Sequence, residues 1–392
     1  MAYLDHAATT PMLPQAVDRM SELLGQVGNA SSLHATGRRA RRVVEEARET
    51  IAAALNARPS EVVFTSGGTE SDNLAIKGLF WSRVAADSRH RKVLVSAVEH
   101  HAVLDAAIWL AEHEGAELVL LPVDPTGRLA PETLAEAIAS APDEIALVSV
   151  MWANNEVGTV QPIAELAAVA AKAGIPVHTD AVQALGAIPI DFAASGVAAL
   201  TVTGHKVGGP VGAGALLIGR DIDLVPIVHG GGQERDVRSG TLDVPGVAAF
   251  ALAVEIAVKE QADRSAWLRD LRDDLVGRVR AVVADAQLNG DQTLSADRRL
   301  PGNAHFSFPG CEGDALLMLL DARGVECSTG SACSAGVARP SHVLLAMGHD
   351  EDRAKSSLRF SLGHSSSAAD VDALVEAIGP AVLRARSARR TA

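Results

Sequence analysis

The chain has 392 residues and a net charge of −13, from 35 basic and 48 acidic residues. It is 48% hydrophobic but only 3% aromatic, so its core must be built from Ala, Val, Leu and Ile. The negative charge argues against general affinity for nucleic acid or anionic membranes, and no apolar run reaches the roughly 18 residues of a membrane-spanning helix. The length favours about two domains. Because the start lacks a signal-peptide pattern and the chain has only three cysteines, we expect a reduced, cytoplasmic protein.

Short apolar runs alternate with longer amphipathic ones between residues 60 and 220. The apolar runs predict strands at 61–65, 92–97, 117–123, 145–151, 175–179, 197–203 and 214–218. The amphipathic runs predict helices, among them 70–80, 101–113 and 162–173. This alternation predicts an α/β domain with a mainly parallel, seven-stranded sheet covered by helices on both faces.

The rest of the chain has a different pattern. Residues 251–284 predict one long helix that leads out of the sheet domain. Strands are then expected at 303–308 and 358–362, and a last helix near 371–386. These elements predict a smaller α+β domain.

Polar and ionisable side chains follow the predicted strands where each strand ends. They occur at 66–71, 98–101, 152–156, 180–183 and 205–206. Open α/β sheets bind ligands outside the carboxyl ends of their strands. The sequence therefore predicts that these groups meet at one ligand site.

A lysine and an acid within this set indicate a specific chemistry. Asp180 and Lys206 each follow a short apolar run, so both are expected at the same edge of the sheet. Enzymes that use pyridoxal phosphate need a lysine to attach the cofactor aldehyde and an acid to keep the pyridine nitrogen protonated. The pair therefore favours a pyridoxal-phosphate enzyme.

Other groups in the set allow two interpretations each. The two glycines in 66–69 open a helix, either as a phosphate cradle or as an ordinary turn and N-cap. His100 is either a surface or capping histidine, or a ring that stacks on a cofactor and moves protons. Asn155 and Gln183 either satisfy backbone groups or bond to the cofactor ring.

The segment 328–336 contains a cysteine among glycines and small polar residues. Such surroundings predict an exposed, mobile Cys333, either a nucleophile or an incidental thiol. Cys327 is expected to be packed, and Cys311 lies in a turn. No ligand-like spacing of cysteine and histidine is present, so a metal site is not expected.

Arg359 interrupts the strand predicted at 358–362. A buried guanidinium must be paired. Its partner is either a structural acid of the protein or the carboxylate of an amino-acid substrate, which arginine binds bidentately.

These features together resemble the cysteine desulfurases of group I (NifS/IscS-type), which are class-V aminotransferases of pyridoxal-phosphate fold type I. The resemblance spans nearly the whole chain, through ordered motifs at 3–11, 28–32, 64–73, 99–100, 154–158, 180–183, 204–206, 230–235, 238–241 and 330–333. It implies pyridoxal 5'-phosphate as the cofactor and L-cysteine as the substrate. It also implies a large cofactor-binding domain at 15–255, and a small domain made of 1–14 and 256–392 that carries a mobile cysteine loop at 328–336.

The resemblance also implies roles for single residues. Three are implied to be catalytic: Lys206 attaches the cofactor, His100 stacks on its ring as an acid or base, and Cys333 receives the sulfur. Cofactor-binding positions are Gly68, Thr69, His100, Asn155, Asp180, Gln183, Thr203, His205, Lys206 and Thr241. The family often has serine where Thr203 stands, and the hydroxyl survives that change. Thr241 is implied to reach the phosphate of the neighbouring subunit, which implies a homodimer, while Arg359 and Asn155 bind the substrate carboxylate.

The implied reaction removes sulfur from L-cysteine, giving L-alanine and a persulfide on Cys333. The sulfur is expected to pass to acceptor or iron–sulfur scaffold proteins, with tRNA thiolation as a further destination. No metal is expected in the free enzyme, with Cys333 contacting a cluster only during transfer. The alternatives are a selenocysteine lyase, another class-V aminotransferase and a non-catalytic scaffold.

Overall fold

The computed structural model describes residues 1–330 and 340–391. Its strands are β1 (Ala2–Tyr3), β2 (Val62–Thr65), β3 (Lys92–Ser96), β4 (Glu117–Leu121), β5 (Ile145–Ser149), β6 (Val177–Asp180), β7 (Ala199–Thr203), β8 (Gly214–Ile218), β9 (Gln287–Leu288), β10 (Asn303–Ser307), β11 (Val325–Glu326) and β12 (Ser357–Ser361). Its helices are α1 (Pro14–Leu24), α2 (Ala35–Ala54), α3 (Gly68–Ala86), α4 (His101–His113), α5 (Pro131–Ser140), α6 (Ile163–Ala171), α7 (Phe192–Ser195), α8 (Val244–Lys259), α9 (Gln261–Val282), α10 (Gly313–Asp321), α11 (His342–Ala346), α12 (Glu351–Lys355) and α13 (Ala368–Thr391).

The large sheet has seven strands in the order β2-β8-β7-β6-β5-β3-β4. Strand β8 runs antiparallel to both of its neighbours, β2 and β7, and the other pairs are parallel. The predicted mainly parallel, seven-stranded sheet is therefore confirmed, and each strand falls within two residues of its predicted bounds.

Alternation along the strands explains why both faces of this sheet are covered. In β3, Val93 and Val95 pack into one buried cluster with α3 and α4, whereas Leu94 between them packs into a second cluster on the other face. Successive side chains of a strand point to opposite faces. A sheet that is apolar on both faces has to bury both against helices.

A second, smaller core is formed by the C-terminal part of the chain and the first residues. Strands β12, β10 and β9 form an antiparallel sheet, and β1 pairs with β11. Phe306, Phe308 and Phe360 are fully buried there, together with Leu4 from the N-terminal segment. The strands predicted at 303–308 and 358–362 are confirmed, but sequence patterning missed β1, β9 and β11.

The prediction of a single helix at 251–284 is wrong. The structure has two helices, α8 and α9, which meet at Glu260. The buried face of α8 packs on the large-sheet core and that of α9 on the smaller core, because the chain changes direction between them. We propose on this basis that the large domain spans 15–255, with 1–14 and 256–392 in the small one.

The last helix, α13, is longer than the predicted 371–386. Within the described residues, no helix is both long and apolar enough to cross a membrane.

Candidate active site

A cavity of about 410 Å³ opens at the carboxyl edge of the large sheet. Ten of the twelve predicted site residues line it: Gly68, Thr69, His100, Asn155, Asp180, Gln183, Thr203, His205, Lys206 and Arg359. The two others differ. Thr241 is exposed and does not line this cavity, and Cys333 lies outside the described residues.

The cavity has two sides with different origins. We call the residues that end or follow the large-sheet strands (Gly68, Thr69, His100, Asp180, Thr203, His205 and Lys206) the sheet wall. We call Ser328, Gly330, His342 and Arg359 the C-terminal wall.

Lys206 ends the single 3-10 turn that follows β7, and its amine points toward the N-terminal segment. Its Nζ donates to the carbonyl oxygens of Ala7 at 2.5 Å and Ala8 at 2.7 Å. Burial lowers the pKa of Lys206 to about 8, the Arg359 guanidinium adds to this effect, and Asp180 opposes it. A lysine that loses its proton near neutrality is a nucleophile and a base.

Asp180 is the last residue of β6 and is almost fully buried. Its Oδ1 accepts a hydrogen bond from the Val182 amide at 2.8 Å. Burial raises the pKa of the Asp180 carboxyl to about 6, against the opposing effects of that hydrogen bond and of Lys206. The carboxyl is therefore mostly ionised at neutral pH and can hold a cationic N–H group.

The start of α3 presents backbone amides to the cavity. Gly67 before the helix has φ 144°, a conformation that favours glycine. A Cβ at Gly68 would lie 3.2 Å from Cγ2 of Val182, so a side chain there would crowd the cavity. Because α3 has 19 residues, its N-terminus carries the positive end of a full helix dipole. This supports the phosphate-cradle interpretation of 66–69.

Two histidines flank this part of the sheet wall. His100 caps α4, because its Nδ1 accepts from the Ala102 amide at 3.1 Å. Burial lowers the pKa of His100 to about 4, and the charge of Lys206 adds to that effect. Burial likewise lowers the pKa of His205 to about 4. Both rings are therefore neutral at physiological pH, and the capping role of His100 coexists with its place in the cavity.

The two predicted amides also bond to the protein. Gln183 donates its side-chain Nε2 to the Ala7 carbonyl at 2.8 Å. At Asn155 it is the backbone carbonyl oxygen, not the side-chain amide, that accepts from Arg359 at 2.9 Å. Thr203 donates its hydroxyl to the Ala213 carbonyl at 3.3 Å. These bonds fix the residues at the cavity edge.

Arg359 has a protein acid as its partner and lines the cavity as well. Its guanidinium donates to Asp5 Oδ1 at 2.8 Å, and the Arg359 side chain is only 5% exposed. The Arg359 Nε is buried and has no hydrogen-bond partner among the described residues. Arg359 therefore forms an ion pair with a protein acid and also lines the cavity.

Neither of the two described cysteines lines the cavity. Cys311 is buried in the smaller core, with its Sγ 3.9 Å from the Val382 carbonyl oxygen. Burial raises the pKa of the Cys327 thiol to about 12, which makes that thiol a poor nucleophile. Among residues 1–330 and 340–391, no group of three or more metal-ligating side chains is present.

Sequence reasoning assigned no individual role to four ionisable residues in or beside the cavity, although Glu99 and Glu156 fall within the segments expected to meet there. Asp72 and Glu156 line it and are buried, His342 lies in the C-terminal wall, and Glu99 is buried directly before His100. Asp72 could have been found, because it follows Gly68 by four residues and thus lies on the same face of α3. The place of His342 depends on contacts between distant segments, as in its 2.9 Å bond to the Glu99 carbonyl.

These residues fit pyridoxal phosphate. The cavity has a buried amine of lowered pKa to attach an aldehyde, a buried carboxylate for a pyridinium N–H, and a glycine-bearing helix N-terminus for a phosphate. This donor set suits that group, and His100 lines the same cavity.

Comparison with known proteins agrees with this site. Residues 2–374 match the model of the aminotransferase class-V family. The chain is 59% identical to the IscS-like cysteine desulfurase of Mycobacterium tuberculosis over 388 residues, which covers 99% of this chain and 98% of that protein. It is 43% identical to the cysteine desulfurase IscS of Dictyoglomus turgidum over 362 residues, covering 92% and 89% of the two chains. Among solved structures, a NifS-like protein superposes with a TM-score of 0.89 at 34% identity, covering 98% and 100% of the two chains.

The chain therefore belongs to the aminotransferase class-V family, whose fold and lysine-bearing cavity serve pyridoxal-phosphate chemistry. Within that family it is a cysteine desulfurase of the NifS/IscS type, dependent on pyridoxal 5'-phosphate. A further solved structure, SspA in complex with cysteine, has a TM-score of 0.78 at 33% identity, covering 92% and 99% of the two chains.

Proposed function

We propose that the cavity residues carry out desulfuration with the roles that follow, and that the sulfur leaves on Cys333. The observation that carries this proposal is the convergence of Lys206, Asp180 and Arg359 on one cavity of about 410 Å³. They come from separate segments of the chain, and each suits a different part of the reaction.

The sheet wall would hold the cofactor. Lys206 attaches the aldehyde, Asp180 holds the pyridine N–H, and His100 stacks on the ring. The α3 N-terminus with Gly68 and Thr69, together with Thr203 and His205, binds the phosphate, and Asn155 and Gln183 bond to the ring oxygen. When bound, pyridoxal phosphate withdraws electrons from the substrate and makes its Cα proton acidic.

The C-terminal wall would hold the substrate. The guanidinium of Arg359 binds the carboxylate of L-cysteine with its unpaired Nε edge, and Asn155 assists. This orientation brings the Cα proton to Lys206, whose lowered pKa allows it to accept that proton near neutrality. The solved complex of a related protein, SspA, with cysteine supports this choice of substrate.

Cys333 would then take the sulfur. Its thiolate attacks the substrate sulfur, so that an S–S bond forms as the substrate C–S bond breaks. A persulfide remains on Cys333, and the carbon skeleton leaves as alanine. The high pKa of Cys327 and the core position of Cys311 support Cys333 as the nucleophile.

The persulfide would be passed to sulfur-accepting proteins or iron–sulfur scaffolds, with tRNA thiolation as a further destination. The IscS-type relatives support this transfer role. A cytoplasmic, reducing compartment suits it, because such a compartment keeps the Cys333 thiol reduced and able to act as the nucleophile.

We also propose that the enzyme is a homodimer in which Thr241 completes the phosphate site of the partner. Thr241 is exposed on its own chain, and its segment is anchored by the 2.7 Å ion pair of Arg238 with Glu70 on α3. Val27, Leu33 and Val211 are more than four-fifths exposed on the single chain, which favours an interface. A fully active protein that sediments as a monomer would contradict the proposed homodimer. Thr241→Val is expected to weaken retention of the cofactor.

The reaction is tested by incubating purified enzyme with L-cysteine and a thiol reductant and measuring alanine and sulfide together. We expect the two products in equal amounts. Cys333→Ser should bind cofactor and cysteine but release little alanine. The matched controls Cys311→Ser and Cys327→Ser should keep most activity, and equal losses in all three variants would refute the role of Cys333.

A further inference from the structure

Two more buried carboxyl groups, those of Asp72 and Glu99, lie near Asp180. Asp72 on α3 is 1% exposed, and Glu99 between β3 and α4 is 0% exposed. The charge of Asp180 acts on both of them. Three acids thus share one buried region, and two of them, Asp72 and Glu99, are not among the reacting groups.

The neighbours of Asp72 supply no positive charge. Its Oδ1 lies 3.5 Å from Nε2 of His178 and has no hydrogen-bond partner among the described residues. His178 bonds instead to Thr201 at 3.1 Å and to Ser149 at 2.9 Å. Burial lowers the pKa of His178 to about 3, so this imidazole is neutral. Within the described part of the chain, Asp72 makes no ion pair with a lysine or arginine.

Glu99 is in a similar position. One oxygen, Oε1, accepts from the Met151 amide at 2.5 Å, while Oε2 is buried without a partner in the described residues. The charged group that acts on it is again an acid, Asp180. A single amide bond does not replace the water that an ionised carboxylate loses on burial.

The number of positively charged groups near these three acids decides which of them can be ionised. Lys206 acts on Asp180, which also accepts the Val182 amide. No cation acts on Asp72 or Glu99, and each is compensated only by a hydrogen bond, with the Thr201 side chain for Asp72 and with the Met151 amide for Glu99. A buried carboxylate without a cation costs several kcal/mol, so it takes up a proton instead. Burial, reinforced by the neighbouring Asp180, raises the pKa of both Asp72 and Glu99 well above their usual range.

We propose that Asp72 and Glu99 are neutral carboxylic acids in the folded enzyme, so that neither places a second negative charge beside Asp180. An ionised Asp72 would repel the charge of Asp180 and favour its protonation, and a protonated Asp180 could not stabilise a pyridinium N–H. Proton storage on Asp72 and Glu99 leaves Asp180 as the one ionised carboxylate of the three. This inference rests on the proposed role of Asp180.

The charge states can be read directly by infrared difference spectroscopy of the holoenzyme. Wild type minus Asp72→Asn, and wild type minus Glu99→Gln, should each show the loss of one C=O stretching band of a protonated carboxyl at pH 7.5. Asp105→Asn is the matched control, because Asp105 on α4 has a 68% exposed side chain, and no such band should be lost. If neither Asp72→Asn nor Glu99→Gln removes a band, the proposal is wrong.

A pH titration of the bound cofactor's absorption tests the link to Asp180. Asn reproduces the shape and neutrality of a protonated Asp72, so Asp72→Asn should move the titration midpoint by less than about 0.3 pH units. Removal of a true negative charge would shift the midpoint by about 1 unit or more, which would overturn the proposal. Asp180→Asn tests the role of Asp180 separately from the neutral state of Asp72 and Glu99. An unchanged cofactor spectrum and unchanged turnover in that variant would refute the role of Asp180. The infrared bands would still report on Asp72 and Glu99.

Discussion

The two walls of the cavity are assembled in different ways. The sheet wall comes from segments that each follow a strand of one sheet, within residues 68–206. The C-terminal wall depends on contacts between ends of the chain, since Arg359 is held by Asp5, 354 residues away in sequence. The sheet places the first set by topology, whereas the second set needs the complete tertiary structure.

We infer that the two walls also differ in the ligand that each one binds. The sheet wall has the amine, the carboxylate and the helix N-terminus that suit the cofactor, and the C-terminal wall has the guanidinium that suits the substrate. Changes in one wall should therefore affect cofactor binding, and changes in the other should affect substrate binding.

The largest effect is expected for Lys206→Ala in the sheet wall. Without the amine there is no covalent attachment of the cofactor and no base for the Cα proton, so turnover should be abolished. The measurement is alanine formation from L-cysteine, together with the absorption spectrum of the purified protein. Wild-type protein that contains no pyridoxal phosphate and cannot be reconstituted with it would contradict the account of this wall.

Arg359→Lys in the C-terminal wall should act on the substrate alone. Lysine keeps the charge but loses the planar fork, so KM for L-cysteine should rise by about 10- to 100-fold, as expected for losing a charge-assisted contact of about 1.5–3 kcal/mol. Cofactor affinity should stay nearly constant. An unchanged KM would make Arg359 a purely structural residue, paired only with Asp5.

Asp5→Asn should destabilise the C-terminal wall without touching the reacting groups. The Arg359 guanidinium would lose its charged partner while remaining buried, so the free energy of unfolding should fall by about 1–2 kcal/mol. Urea unfolding of the apoenzyme measures this change. Glu351→Gln is the control, because that exposed ion pair with Lys355 should contribute less than about 0.5 kcal/mol. Equal stability of the two variants would argue against an important Asp5–Arg359 pair.

The smallest effect concerns the pH dependence of cofactor attachment. Only the neutral amine of Lys206 reacts with an aldehyde, and its pKa is lowered from 10.5 to about 8. The reconstitution rate of the apoenzyme should therefore rise with pH and level off above about 8. A rate that still rises through pH 10 would show that burial does not lower the pKa of this lysine.

Much of the sheet wall could be predicted from the sequence. Each of its residues follows an apolar run, and parallel strands bring their carboxyl ends to one edge, so Asp180 and Lys206 were expected together. The roles of Cys333 and Thr241 came from family resemblance instead. They remain predictions, since Cys333 lies outside the described residues and Thr241 does not line the cavity of its own chain.

The other features of the fold and of the site could not be predicted, because they depend on tertiary contacts. The acid that pairs with Arg359 comes from the N-terminal segment, for which the sequence has no local signal. The break at Glu260 has neither proline nor glycine beside it, and it follows from the packing of α8 and α9 on different cores. The burial of Asp72 likewise depends on how α3 packs against β6 and β7. That of Glu99 depends on its contact with Met151, which follows β5.

The claim that the sheet wall binds the cofactor and the C-terminal wall binds the substrate is tested most directly by comparing Thr69→Val with Arg359→Lys in two binding measurements. Cofactor affinity is obtained by reconstituting each apoenzyme, and cysteine affinity from the spectral change on adding L-cysteine to each holoenzyme. We expect Thr69→Val to weaken cofactor binding and leave cysteine binding nearly unchanged, and Arg359→Lys to do the reverse. Equal weakening of both affinities in both variants would contradict the account.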